Sequence, residues 1–208
     1  MATTTPNYGW AVPTSTDLVK NGATAIETLG DAIDASMNTA LGTKKAGMVL
    51  LNTTSCSAVS SVSVSTVFSS TYSNYRIDIN FTSASSNPDL YFRIRSSTTD
   101  LTSGYYGSYG ANTSDGSAWG VSAQSNTGFW IIGELGTLQS VIKMELTNPF
   151  ASTYTTHQSL ASRMRATPAS RNFIGQGVIN NTNSYDGFTI YSPAAETFTG
   201  TIKTYGWN

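Results

Sequence analysis

The stretch YRIDINFT, residues 75–82, alternates apolar and polar side chains along its whole length. In an extended chain, side chains two apart point to the same side, so alternate residues from Tyr75 to Phe81 share one face. Arg76, Asp78 and Asn80 share the opposite face. This pattern predicts a β-strand with one buried and one exposed face.

The same alternation recurs in LYFRIRS (90–96) and VIKMELT (141–147). The positions predicted to face inward are Tyr75, Ile77, Ile79, Phe81, Leu90, Phe92, Ile94, Ile142, Met144 and Leu146. Further strands are predicted at 48–52, 59–68, 129–135, 158–164, 173–179, 188–191 and 201–205, separated by turn-rich pieces such as NNTNSYDG.

Eight to ten short strands without intervening helices are typical of a β-sandwich or jelly roll. A parallel sheet needs crossover connections, usually helices, and the sequence offers none after residue 43. The sequence therefore predicts a mainly β chain, with an antiparallel, jelly-roll-like β-sandwich over residues 43–208.

One amphipathic helix is predicted ahead of the sandwich, over residues 17–42. Its apolar stripe consists of Val19, Ile26, Leu29, Ile33 and Met37. Such a helix either folds back on a domain as a surface helix or pairs with copies of itself. We favour self-association, because the segment before it reads as an extended arm and the segment after it as a separate domain.

The arm, residues 1–16, contains TPNYGWAVPT (5–14), with two aromatic residues and two prolines ahead of any core. Tyr8 and Trp10 either anchor the chain to a partner, since aromatic residues dominate interfaces, or cover the sandwich or the start of the helix.

Composition excludes several classes of function. Charged residues make up only 11% of the chain and the net charge is −1, so counterion release gives little affinity for nucleic acid. The sequence has no signal-peptide pattern and no apolar run of about 20 residues, which predicts a chain kept in a soluble compartment, away from membranes.

The sequence also predicts that the protein is not an enzyme and uses neither metal nor cofactor. The chain has one cysteine, Cys56, and one histidine, His157. The sequence shows no further residues that would complete a catalytic relay or a zinc site with either of them. The carboxylates of Asp78 and Glu145 lie on predicted strands, and both fall on solvent-facing positions. A glycosidase needs two carboxylates in a cleft, one of them with a raised pKa.

Three segments together resemble tail-fibre and other minor virion proteins of tailed bacteriophages. These are residues 5–37, the stretch from FSSTYSNYRIDINFT to GYYGSYG (68–110), and FTGTIKTYGWN (198–208). The resemblance implies a virion protein assembled in the host bacterial cytoplasm: a trimer whose N-terminal arm docks on another virion protein and whose sandwich faces outward. The docking residues would be Pro6, Tyr8, Trp10 and Pro13.

The chain lacks the shaft repeats of long fibres. A short tail fibre, a head fibre and a capsid-decorating protein therefore all remain open, as does a free lectin-like or polysaccharide-degrading module. For host contact, the sequence offers one loop-rich region of aromatic and amide side chains that suits a glycan or a subunit interface. Its residues are Tyr105, Tyr106, Tyr109, Asn112, Asp115 and Trp119.

Overall fold

The structure, a computed structural model, describes residues 3–15, 21–41, 47–84, 89–114, 116–132, 135–164 and 170–208. The chain divides into two compact units, Met1–Ala46 and Gly47–Asn208. The first contains the single helix of the described residues, and the second contains two large antiparallel sheets. The prediction of a mainly β chain with a β-sandwich after one N-terminal helix is confirmed.

In the N-terminal unit, helix α1 spans Gly22–Leu41. Residues 16–20 lie outside the described part of the chain, and with them the predicted start of the helix and Val19. Two short antiparallel strands, β1 (Thr3–Thr4) and β2 (Ala11–Val12), precede the helix.

The second unit contains strands β3 to β15. They are β3 Val49–Val59, β4 Ser61–Val64, β5 Asn74–Ala84, β6 Leu90–Ser96, β7 Thr99–Asp100, β8 Tyr105–Thr113, β9 Ala118–Asn126, β10 Phe129–Ile132, β11 Ser140–Thr147, β12 Thr155–Met164, β13 Ser170–Ile179, β14 Gly187–Tyr191 and β15 Phe198–Trp207. The larger sheet has the order β3-β15-β5-β11-β12-β13-β8-β9, and the smaller sheet has the order β10-β6-β14-β4 with β7 beside β6.

The inward faces of both sheets contribute to one buried core. Every position predicted to face inward on β5, β6 and β11 is buried there. Aromatic rings join the two layers: Phe129 of the smaller sheet meets the Tyr105 ring of the larger sheet edge to face, with ring centroids 4.9 Å apart. We call the face of each sheet that is turned away from the other sheet its outer face.

The prediction of a loop-rich region at Tyr105, Tyr106 and Tyr109 is wrong. Residues 105–113 form β8, which pairs with β13 and β9 inside the larger sheet. Glycine weakens strands in general, but here it makes room for a ring. A Cβ on Gly107 or on Gly175 would lie 2.6 Å and 3.0 Å, respectively, from atoms of Tyr109, which packs over both glycines.

Candidate functional site

The predicted docking arm is not a single extended segment. Strands β1 and β2 form a hairpin, in which the Thr5 amide donates to the Trp10 carbonyl at 2.9 Å and the Gly9 amide to the Thr5 carbonyl at 3.0 Å. Gly9 closes this turn with a φ of 65°, a left-handed conformation that glycine adopts without steric cost.

The two aromatic residues of the hairpin differ in their surroundings. Trp10 is half-buried and its indole Nε1 donates a hydrogen bond to Ser36 Oγ on α1 at 2.9 Å. Tyr8 stacks on Trp10, with ring centroids 5.1 Å apart, but stays 69% exposed. Pro6 is exposed and Pro13 is half-buried. Tyr8 is therefore the more accessible ring for a partner, and docking itself stays a prediction.

The hairpin packs on the helix, yet part of the predicted stripe remains uncovered. Leu29 and Ile33 are half-buried, whereas Ile26 is 66% and Met37 is 54% exposed. At about 100° per residue, Ile26, Ile33 and Met37 lie within about 40° of one another around the helix axis. They form a continuous apolar ridge beside the hairpin.

The described residues of the predicted glycan site lie on both faces of the larger sheet. Because β8 alternates its side chains between the faces of the sheet, Tyr105 and Tyr109 are buried while Tyr106 is half-buried and Asn112 is exposed. Asp115 and the side chain of Trp119 lie outside the described part of the structure. The prediction missed this division because it treated the segment as a loop.

Tyr105 has a structural role in the core. Its hydroxyl accepts a hydrogen bond from the Ile94 amide and donates one to the Leu101 carbonyl, both at 2.9 Å. Burial raises the pKa of this phenol far above its usual value. Tyr105 therefore fastens the end of β6 to the larger sheet and is closed to a ligand.

The one histidine lies in the core rather than in a catalytic relay. His157 of β12 is 2% exposed and stacks on Phe129 with ring centroids 3.9 Å apart. Neither imidazole nitrogen has a hydrogen-bond partner among the described residues. Burial lowers the pKa of His157 to about 3, so the ring is neutral at physiological pH.

The other candidate reactive groups are tied up or dispersed. Burial raises the pKa of the Cys56 thiol, which disfavours the nucleophilic thiolate. Asp78 lines an open depression of about 370 Å³ on the outer face of the larger sheet, but its carboxylate accepts the Nε–H of Arg76 at 2.8 Å. Glu145 stands opposite Arg76 on β11. Among the described residues, no three His, Cys, Asp or Glu side chains gather as metal ligands.

A group that the sequence analysis missed lies on the outer face of the smaller sheet. Tyr91, Tyr191 and Ser61 occupy one register row across β6, β14 and β4. The rings of Tyr91 and Tyr191 are 5.9 Å apart. The alternation of LYFRIRS already indicated this group. Leu90, Phe92 and Ile94 were predicted to face inward, which places Tyr91 and Arg93 on the outer face.

Arg93 completes this group, which we call the Arg93 cluster: Tyr91, Arg93, Thr127, Gly128 and Tyr191. The Arg93 guanidinium carbon lies 4.2 Å from the centre of the Tyr191 ring, and Nε donates to the Thr127 carbonyl at 2.7 Å. A Cβ on Gly128 would lie 2.8 Å from the Phe92 carbonyl oxygen and 3.2 Å from the Tyr191 hydroxyl. The cluster therefore requires glycine at position 128.

Comparison with known proteins adds no assignment: no protein-family model matches this chain, and no curated protein matches it significantly. Among the described residues, no helix has the length and apolar character needed to cross a membrane.

Proposed function

We propose that this protein is a non-enzymatic structural component of a tailed-phage virion. In this proposal it is a short trimeric fibre that attaches through its N-terminal unit and exposes the β-sandwich to the host surface. The observation that carries the proposal is the apolar ridge of Ile26, Ile33 and Met37 on a helix that belongs to the N-terminal unit, with Ile26 and Met37 exposed.

A ridge of this kind favours association with copies of the same helix. An exposed isoleucine and methionine gain roughly 1.5–3 kcal/mol each when fully buried, and a closed symmetric bundle buries the same ridge on every chain. The half-buried Leu29 extends the ridge toward the hairpin. The hydrogen bond from Trp10 to Ser36 then holds the hairpin against each helix beside this ridge.

The sandwich supports a binding or structural role. Within the described residues, the isolated carboxylates on its strands are paired or exposed, its histidine is buried and its cysteine is half-buried. A surface that is rich in hydroxyl and amide groups and poor in charge is suited to an exposed domain that binds other molecules.

Sedimentation equilibrium of the full chain tests the trimer. The expected mass is about 66 kDa, three times the 22.1 kDa of one chain. Ile26→Asp should convert it to monomer because it places a charge in the seam, whereas Thr28→Asp, on an exposed position off the ridge, should not. Wild-type protein that sediments as a monomer at all concentrations removes the trimer.

Attachment to particles needs its own test. Tyr8→Ala is the suitable variant, because Tyr8 is exposed while Trp10 also holds the hairpin on the helix. Under the proposal, this variant is lost from purified virions without a change in its own melting temperature. Antibody labelling of the sandwich on intact particles distinguishes a tail fibre from a head fibre or a capsid-decorating protein. Absence from particles overturns the virion role.

A further inference from the structure

We propose that the cavity between β3 and the connection from β4 to β5, residues 65–73, binds an uncharged saccharide. The cavity has a volume of about 430 Å³, and its lining includes Leu51 and Asn52 of β3 and Thr71 and Tyr72 of the connection. Sites for small ligands have volumes of roughly 300–1,000 Å³. The site would serve the host-contact role proposed above but does not depend on it, because all its residues belong to the sandwich unit of one chain.

The connection is held in place along its length, first by the segment before β14 and then by β5. The Val67 and Phe68 amides both donate to the Asp186 carbonyl, at 2.8 Å and 3.0 Å. The Ser69 amide donates to the Tyr75 hydroxyl at 2.7 Å, and this hydroxyl donates to the Ser69 carbonyl at 2.8 Å. The first half of the connection is therefore fixed to two neighbouring parts of the sandwich.

The second half of the connection is fixed by the C-terminal end of the chain. The Asn208 side chain accepts from the Ser73 amide at 3.1 Å and donates to the Thr71 carbonyl at 3.0 Å. Tyr72 packs over Gly206 of β15, where a Cβ would lie 2.6 Å from the Tyr72 ring. A wall that is ordered before binding loses less entropy when a ligand arrives.

Three polar groups on this wall have no hydrogen-bond partner among the described residues. The Asn52 side chain accepts the Thr54 hydroxyl at 2.7 Å through Oδ1, which leaves its NH₂ group. Thr71 forms hydrogen bonds only through its backbone, so its hydroxyl is available, as is the Tyr72 hydroxyl. Asn52, Thr71 and Tyr72 are all half-buried. Sugar hydroxyls both donate and accept, so they match one amide and two hydroxyl groups.

The lining identifies the ligand as an uncharged one. Every residue that lines the cavity is neutral at physiological pH. A carboxylate or phosphate would lose hydration there without gaining a cation, and a wholly apolar ligand would leave buried polar groups unpaired. A neutral saccharide meets both conditions, because its hydroxyls pair with the polar groups while its C–H face packs on Leu51, Val67 and the Tyr72 ring.

The backbone of the cavity wall is also unusual at Thr66. This lining residue has a φ of 54°, a left-handed conformation that β-branched residues rarely adopt. Strained conformations of this kind persist where the surrounding structure enforces them, and they cluster at ligand sites. The hydrogen bonds of the next two residues, Val67 and Phe68, enforce it here.

Saturation-transfer difference NMR of the full chain tests the site. The probes are four uncharged sugars: methyl α-D-glucopyranoside, methyl α-D-mannopyranoside, methyl β-D-galactopyranoside and N-acetylglucosamine. We expect at least one of them to bind saturably, with a dissociation constant of about 1–10 mM, because a few neutral hydrogen bonds contribute little net free energy. The 6-carboxylate form of the sugar that binds should bind no more tightly than the neutral form.

Two variants and two matched controls locate the binding. Tyr72→Phe and Thr71→Val each remove one hydroxyl with little change of shape, and each should weaken binding by about three- to tenfold. Tyr106→Phe, on the outer face of the larger sheet, and Thr53→Val, at an exposed position of β3 beside Asn52, should leave binding unchanged. Near-ultraviolet circular dichroism checks the fold, and Thr71→Val serves if Tyr72→Phe does not fold.

Four results overturn the proposal. They are no saturable binding of any of the four sugars at tens of millimolar, equal losses with the control variants, at least tenfold tighter binding of the carboxylate form, and chain association that depends on Tyr72 in place of sugar binding. The last result would assign the cavity to an interface between copies. None of them bears on where the protein sits in a particle, so failure here and failure of the virion role are separable.

Discussion

Acidification from about pH 7.5 to about pH 5 should destabilise the sandwich through His157, the only histidine of the chain. Buried against Phe129, the ring has a pKa lowered to about 3, whereas an unfolded histidine has a pKa of about 6.5. Between about pH 3 and about pH 6.5, His157 is protonated in the unfolded chain and neutral in the folded chain. Stability is therefore lost as the pH falls, by about 1.4 kcal/mol per pH unit below about 6.5, or about 2 kcal/mol at about pH 5.

Urea unfolding at a fixed protein concentration measures this loss. With a slope of about 2 kcal/mol per molar urea, the midpoint should fall by about 1 M. His157→Phe keeps an aromatic ring against Phe129 and removes the titration, so its midpoint should be nearly flat over the same range. Most aspartates and glutamates stay ionised above about pH 5, so the change in stability over this pH range reports on His157.

Proton NMR examines the same claim without unfolding. The imidazole resonances of the folded protein should stay constant over this pH range. A titration midpoint near the ordinary histidine value, or an unchanged urea midpoint in the wild-type protein, would refute the burial argument.

Two further changes test the packing of β8 and its neighbours by urea unfolding. Tyr105→Phe should cost about 1–3 kcal/mol because it leaves the buried Ile94 amide without its acceptor, whereas Tyr106→Phe on the opposite face should stay within about 0.5 kcal/mol. Gly177→Ala should destabilise the sandwich by about 1–3 kcal/mol, since its Cβ would clash with the Tyr106 carbonyl oxygen. Gly30→Ala, with open space around it in α1, should instead raise helix stability by about 0.5–1 kcal/mol, measured by circular dichroism.

The alternation of the sequence predicted the faces of β5, β6 and β11 because every inward position there is large and apolar. Burying such residues is the dominant favourable term in folding, so the pattern and the structure coincide. The same reasoning failed for β8, whose inward residues include Gly107 beside Tyr105 and Tyr109. On β8 the buried apolar surface comes from the Tyr109 ring, which lies over glycines that include Gly175 of the neighbouring strand β13. This packing between strands cannot be recognised from the sequence of β8 alone.

The inward face of β12 shows the same limit more strongly. Thr155, His157, Ser159 and Arg163 are all buried in the sandwich, although a polar series of this kind would be assigned to solvent. The strand is central in the larger sheet, between β11 and β13, so its backbone pairing fixes its face whatever side chains it carries. Position in the sheet, rather than local hydropathy, decides burial here.

A side-chain cluster built across strands, such as the Arg93 cluster, escapes sequence reasoning for a related reason. Outward alternation identifies Arg93 only as one exposed cation among others, and such residues are ordinarily solvated. What sets Arg93 apart is the convergence of the Thr127 carbonyl, the Tyr191 ring and the space at Gly128, contributed by segments that the smaller sheet brings together. This arrangement follows from the topology of the sheet and is not visible in any one segment of the sequence.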